Sequence, residues 1–528
     1  MNLSNRIALN AVTTWLSTAV GAAVQLLIVP FLIARLGKEG YGLVALCGAI
    51  VGFAVMIDLG VRHSLSRHLA ELIALKNDRR ITELFSSALA CYAAIGGLLM
   101  LGCVTFAETL VGYFQVPEAL RADAVFLVRY YASATIILSF IAPCYEATLN
   151  GSNRFDLWNY VHIVEVLLRA VGIIVVMGWV IERGDASSGL RAWAAVMFAA
   201  QITGIALFRF LARRICAGLR FRPGAVKRDA LAELFRLGRY LFVYETVQLL
   251  AVRADPFILT SFLGPKAVGL YQPAILFVAG ARPFVGALAK QLRPLATGLH
   301  ATGQKQQLQE LLIRGSRLTF LMGSPFCIVL AVFALPIVRL WLGDGFEATA
   351  WVLALWAMVD LTEYGAGPQW HVMLGMNRVR FIVAVRLAAA VLNLGASILL
   401  VRWMSRGEPD MDMAIVGVVI PTVVLGVAQR VVITLHVAAA TEVPLRRYIA
   451  ESYFRPLVTL GLLTAVCLTL RLVAAPQSLL AVASCVAAPL ALWGPLCWWL
   501  ALDDKDKKGF QGVFQSALAR FGLPTKGV

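Results

Sequence analysis

Four stretches of this chain run for twenty or more residues without a single Asp, Glu, Lys or Arg: Ile7–Ala34, Leu84–Ala107, Leu318–Val338 and Leu472–Leu502. A helix needs about 20 apolar residues to cross a bilayer. Only helices and closed barrels satisfy every backbone polar group in lipid. A barrel strand would be short and would alternate in polarity. These runs are long and continuous, so they read as helices. Of the 528 residues, 60% are hydrophobic and 15% are charged, with mean hydropathy +0.78. Soluble domains carry about 25% charged residues, and this chain has too little polar surface to clothe one. The expected class is an all-α integral membrane protein.

The apolar runs resolve into about fourteen transmembrane helices, near residues 8–33, 41–60, 84–107, 124–146, 158–181, 191–211, 240–263, 267–289, 316–340, 348–372, 381–402, 412–435, 454–474 and 478–501. The odd-numbered connections are short and poor in Lys and Arg. The even-numbered ones are basic: residues 61–83 hold Arg62, Arg67, Lys76, Arg79 and Arg80, and residues 209–239 hold nine basic residues, Arg213, Arg214 and Lys227 among them. Cytoplasmic loops carry the excess of Lys and Arg, so both termini are expected in the cytoplasm. Such loops touching anionic headgroups account for the net charge of +17. No aromatic-basic module accompanies that charge, which argues against nucleic acid as a partner. The nine Cys form no CxxC pair and lie mostly in apolar runs, where Cys behaves as a small hydrophobe. Ile7–Ala34 is too long for the core of a cleavable signal and reads as a retained first span.

The chain repeats itself. Residues 30–43 read PFLIARLGKEGYGL and residues 256–270 read PFILTSFLGPKAVGL. Pro-Phe, Leu-Gly and Gly-Leu recur in order, and both copies begin in an odd-numbered span. The expected organisation is two pseudo-symmetric six-helix bundles in parallel orientation, residues 1–212 and 240–436, joined by a basic cytoplasmic linker, 213–239. Helices 13 and 14 follow over 437–502, then a cytoplasmic tail over 503–528. Duplicated bundles are a transporter architecture.

The pattern Pro30…Leu36-Gly37…Tyr41-Gly42, followed by Asp58-Leu59-Gly60…Arg67, resembles the N-terminal half of bacterial polysaccharide flippases. The stretch Arg253-Ala254-Asp255…Leu263-Gly264…Val268-Gly269-Leu270-Tyr271…Ala274 resembles their seventh and eighth helices. The resemblance covers most of residues 5–450. It implies the fold shared by multidrug extrusion proteins and the lipid II flippase. It also implies alternating-access export of an undecaprenyl-diphosphate-linked oligosaccharide, for O-antigen or exopolysaccharide synthesis, across the cytoplasmic membrane. The partners it implies are that lipid-linked oligosaccharide, membrane lipids, and a polysaccharide polymerase with its chain-length machinery. Fourteen spans suit the lipid-flipping branches better than the twelve-span drug exporters. A proton- or sodium-coupled multidrug exporter of the same fold is the alternative.

Ionisable side chains inside the spans point to function, because each costs roughly 2.5 kcal/mol or more at mid-bilayer. Span 5 carries Asn159, His162, Glu165 and Arg169 on one stripe, with Glu165 and Arg169 one turn apart. Span 7 carries Glu245, Arg253 and Asp255, and Asp255 falls on a family motif position. Span 8 carries Arg282, which either reaches an acid on another helix or stands as a cavity charge; the latter is the expectation. Span 10 carries Asp360, Glu363, Tyr364 and His371. Arg169, Arg253 and Arg282 are the candidate ligands for a diphosphate, since guanidinium stays charged and binds phosphate bidentately. Glu165, Asp255, Asp360 and Glu363 are the candidates for coupling to H⁺ or Na⁺. Arg386 and Arg430 are expected to snorkel to headgroups, and Asp58 to anchor a loop. No cofactor or metal site is expected. There is no Walker A, HExxH or GxSxG motif, and the extracytoplasmic connections are too short for a polymerase, so the chain is not expected to be an enzyme.

Overall fold

The computed structural model describes residues 3–507 apart from 56, 58–59, 184–185, 217, 237–253, 407–410, 475 and 505. The described residues are 90% helical and contain no strand. The first element, α1 (Leu3–Val55), has 53 residues. At 1.5 Å per residue a straight helix of that length would reach about 80 Å, far beyond a bilayer. The chain breaks it at Gly37, whose φ of 72° and ψ of 174° no β-carbon-bearing residue adopts readily. Two spans result. Gly60, at φ 71°, then opens the amphipathic α2 (Val61–Ala74).

The remaining long helices are α3 (Asp78–Thr105), α4 (Glu118–Gly151), α5 (Phe155–Val180), α6 (Ala186–Ile215), α7 (Asp255–Leu263), α8 (Pro265–Ala301), α9 (Lys305–Val332), α10 (Glu347–Gly375), α11 (Arg380–Met404), α12 (Met411–Ala440), α13 (Leu445–Ala474) and α14 (Leu480–Ala501). Among the described residues ten helical stretches are long and apolar enough to cross a membrane, the kinked first one counted once. This is a multi-pass helical membrane protein, and each expected span coincides with a helix, the seventh being described only from Ala254.

Two compact units are present. The first comprises Met1–Leu276 and Arg386–Pro421, and the second Phe277–Val385 and Thr422–Val528. The core of the first is built by Leu65 and Leu69 of α2, Leu84 and Tyr92 of α3, and Phe140 and Cys144 of α4. The repeated motif meets itself inside this unit. Gly264 between α7 and α8 has φ 79° and ψ 178°, nearly the conformation of Gly37. Five residues after each lies a second glycine, Gly42 and Gly269, packed against backbone of the other copy. The sequence repeat is therefore also a conformational one.

Within the first unit, part of the basic linker is docked on α3. Thr82 donates to the Gly218 carbonyl at 2.6 Å, and Ser87 accepts from the Lys227 amide at 2.9 Å. Arg80 binds Asp229 at 2.9 Å, Glu233 at 2.7 Å and Glu83 at 3.1 Å.

In the second unit, Phe320 and Phe333 pack with Leu463 and Trp493, and the Trp493 indole donates to the Leu321 carbonyl at 2.9 Å. The segment that follows α14 is anchored to α9. Asp503 and the buried Asp506 both bind Arg317 of α9, Asp503 at 2.6 Å. The reason is electrostatic: Arg317 is itself buried and requires an anion.

Candidate functional site

The first unit holds a polar cavity of about 200 Å³. The helices that wall it contribute one or two polar side chains each: Arg62 of α2, Ser139 and Glu146 of α4, Glu165 of α5 and Gln201 of α6. Glu165 accepts from Arg169 one turn later on α5. Glu146 accepts from the Trp158 indole at 3.3 Å, and Gln201 donates to the Ser139 hydroxyl at 3.2 Å. A methyl group on Gly204 would approach the Glu165 carboxylate to 3.0 Å, so the glycine lets the acid lie flat against α6. The Nε atom of Arg62, in the cavity wall, is buried with no hydrogen-bond partner among the described residues. Buried N–H groups normally find partners, so the cavity has donor capacity for water or a polar ligand. Asn159 of the same stripe is spent on structure, donating to Thr13 and Thr14 of α1.

Asp255 opens α7, with Pro256 in the first turn where its missing N–H costs nothing. Its buried carboxylate accepts from the Tyr271 hydroxyl of α8. Glu245, Arg253 and Asp58 lie outside the described residues.

The second unit holds a different arrangement. Arg282 of α8 grips Asp360 of α10 through two parallel bonds, Nε–Oδ2 and Nη2–Oδ1, both 2.9 Å. This is the bidentate geometry that guanidinium and carboxylate planes favour. The pair is asymmetric: the Arg282 side chain is 35% exposed and Asp360 only 5%. The guanidinium also lies 5.5 Å over the Trp356 ring, one helical turn before Asp360. One turn C-terminal to Asp360, Glu363 accepts from Arg430 of α12, at 3.1 Å from Nε and 2.9 Å from Nη2.

Two expectations are corrected here. Arg282 is not an unpaired cavity charge, because Asp360 lies within reach across the helix pair. Arg430 does not snorkel; a carboxylate on the facing helix holds it in the interior. Three intramembrane arginines, Arg169, Arg282 and Arg430, thus each have their own acid, and each assembly is near neutral as found. The sequence reading missed Arg62, Glu146 and Gln201. The available signal was a lone Glu and a lone Gln in apolar runs, together with an Arg directly after a span.

A family model described as polysaccharide biosynthesis protein matches residues 7–278 of the chain. The Bacillus subtilis (strain 168) protein named Uncharacterized membrane protein EpsK is 23% identical over 367 residues, 69% of this chain and 71% of that one. Among solved structures, the lipid II flippase MurJ in an inward closed conformation aligns over 93% of this chain and 98% of its own. Its TM-score is 0.66 at 14% identity. An inward-facing multidrug resistance transporter of the MATE family aligns over 81% and 95%, with TM-score 0.64 at 12% identity. At those identities the structural likeness establishes the fold.

Proposed function

The chain belongs to the polysaccharide biosynthesis protein family, and from that premise we propose that it is a flippase carrying undecaprenyl-diphosphate-linked oligosaccharide units across the bacterial inner membrane by alternating access. The diphosphate cannot cross hydrocarbon unaided, so the protein must offer it cations. Unpaired arginines would be costly in an empty site. Arginines held by carboxylates avoid that cost and remain exchangeable. The bidentate Arg282–Asp360 pair is the observation that carries this reading, because its arginine is accessible and its acid is not. A diphosphate approaching from the open side meets the guanidinium first and competes with Asp360 for the same fork.

Exchange leaves a carboxylate without its partner in a low-dielectric site, where it takes up a cation. Uptake of H⁺ or Na⁺ by Asp360, and by Glu165 when Arg169 is drawn away, would couple anion binding to an ion gradient. Glu363 with Arg430 and the Asp255 carboxylate are the further coupling candidates. The sugars need hydrogen-bonding groups rather than charge, and Gln201 and Ser139 supply these in the first unit. The polyprenyl tail stays in lipid. Both termini are cytoplasmic in this reading, and the polymerase and chain-length machinery take the product.

The test is the lipid-linked pool of a strain lacking the protein, analysed by mass spectrometry. Accumulation of an undecaprenyl-diphosphate oligosaccharide, cleared by the wild-type chain and not by R282A, is the expected result. An unchanged pool with heightened sensitivity to cationic drugs would overturn it in favour of a drug exporter.

A further inference from the structure

The C-terminal half of α6 carries cations that the transport reading does not use. Ile202, Ile205, Arg209, Phe210, Arg213 and Arg214 recur at three- and four-residue spacing and line one groove of about 530 Å³. The stripe spans about 18 Å of helix, roughly one leaflet of hydrocarbon plus headgroup. Its upper part is aliphatic and its lower part is three guanidiniums. Arg169, Arg282, Arg317 and Arg430 each have a carboxylate partner. Arg209, Arg213 and Arg214 have none among the described residues; Arg214 lies 4.6 Å over the Phe210 ring. All three are exposed. Just beyond α6, the chain is pinned to α3 through the Arg220 carbonyl and the Arg222 amide, both bonded to Ser86, so further basic residues gather near the same end.

We propose that this groove is a binding site for an anionic glycerophospholipid of the inner leaflet. Its phosphate would sit among Arg209, Arg213 and Arg214, and an acyl chain would lie along Ile202, Ile205 and Phe210. Charge complementarity decides the occupant. Three uncompensated positive charges fit a headgroup with net negative charge. A zwitterionic headgroup would bring its own ammonium into the cluster. The lining contains no neutral polar side chain that could recognise a sugar, unlike the Gln201–Ser139 cavity on the other side of Ile205, which sets this groove apart from the carrier site.

The purified full-length chain in detergent, titrated with phosphatidylglycerol, phosphatidylcholine and undecaprenyl diphosphate under native mass spectrometry, tests the assignment. One phosphatidylglycerol is expected to be retained in preference to phosphatidylcholine. Each Arg→Gln change should weaken retention about fivefold, and R209Q/R213Q/R214Q about a hundredfold. The R209K/R213K/R214K variant should keep most of the preference, which separates lost charge from lost fold. Equal phosphatidylglycerol retention by wild type and the triple Gln variant would overturn the proposal. So would undecaprenyl diphosphate displacing phosphatidylglycerol from the wild type, which would give the groove to the cargo.

Discussion

Gly42 and Gly269 occupy the same place in the two copies of the repeated motif, and each lies against the backbone that begins the other copy's second helix. A methyl group on Gly42 would fall 1.9 Å from the Pro265 carbonyl oxygen, and one on Gly269 would fall 2.1 Å from the Lys38 carbonyl oxygen. Pro265 and Lys38 each follow the positive-φ glycine of their copy. Two backbones meet here with no room for a side chain, in an exchange that is reciprocal.

G42A and G269A are therefore expected to force this seam apart. Overpacking against backbone costs typically 1–3 kcal/mol, visible as a lowered unfolding temperature of the purified protein, and each variant should fail to complement a strain lacking the chain. Gly48 and Gly97 have open space around them, so G48A and G97A are the controls. Loss of stability in all four alike would show that the close approach is not the cause.

The Arg282–Asp360 pair separates stability from transport. R282A leaves an Asp360 that is 5% exposed without its counter-charge, and because Arg282 is itself 35% exposed the loss should fall below the roughly 3–5 kcal/mol of a fully buried pair. The exchange R282D/D360R restores opposite charges and should recover part of the thermal stability. It should not recover export, because the accessible member would then be an acid facing a diphosphate. Recovery of export by the exchanged pair, measured from the lipid-linked pool, would contradict the anion-exchange reading.

Much of this was legible in the residues themselves. Uncharged runs such as Leu84–Ala107 announce spans because burial in lipid leaves no other use for them. Pro-Phe…Leu-Gly…Gly-Leu announces the repeat because a positive-φ hinge and a close backbone contact each demand glycine. What could not be read was pairing across helices. Glu165–Arg169 is visible as a one-turn spacing. Arg282–Asp360 and Arg430–Glu363 join residues 78 and 67 positions apart, and no local period encodes which faces meet. The same holds for Arg62, Glu146 and Gln201, which come together only when α2, α4 and α6 pack.

Acid should remove the contribution of Asp503 to the anchoring of the segment after α14. Burial opposes ionisation of Asp503, but the Asp506 amide and the Arg317 guanidinium outweigh it and hold the carboxyl below the usual range. Burial pushes the Asp506 carboxyl up. A depressed Asp contributes fully above its unfolded pKa of about 3.9 and loses that contribution as pH falls through the folded value. Asp506 has the opposite sign, its ionisation being resisted by the fold. D503N should thus lower the unfolding temperature at pH 7 and more than D506N does, with the D503N deficit shrinking towards pH 3. A D503N deficit that is constant with pH would remove ionisation of Asp503 from the account.

Arg80 is the fastening of the linker. It bonds Glu83, Asp229 and Glu233 together, and its guanidinium holds the Asp229 carboxyl below the usual range. Arg79, its neighbour, is 85% exposed and bonds Glu83, a surface pair of the kind that contributes little. R80A should therefore expose residues 219–236 to trypsin in the folded protein, with cleavage at Arg220, Arg222, Lys227 or Arg228 mapped by mass spectrometry. R79A should leave the digestion pattern of the wild type. High salt should speed cleavage of the wild type, since these pairs lie near solvent and are screened. Equal cleavage of R80A and wild type would mean that the backbone bonds to Ser86 and Ser87 hold the linker without the charges.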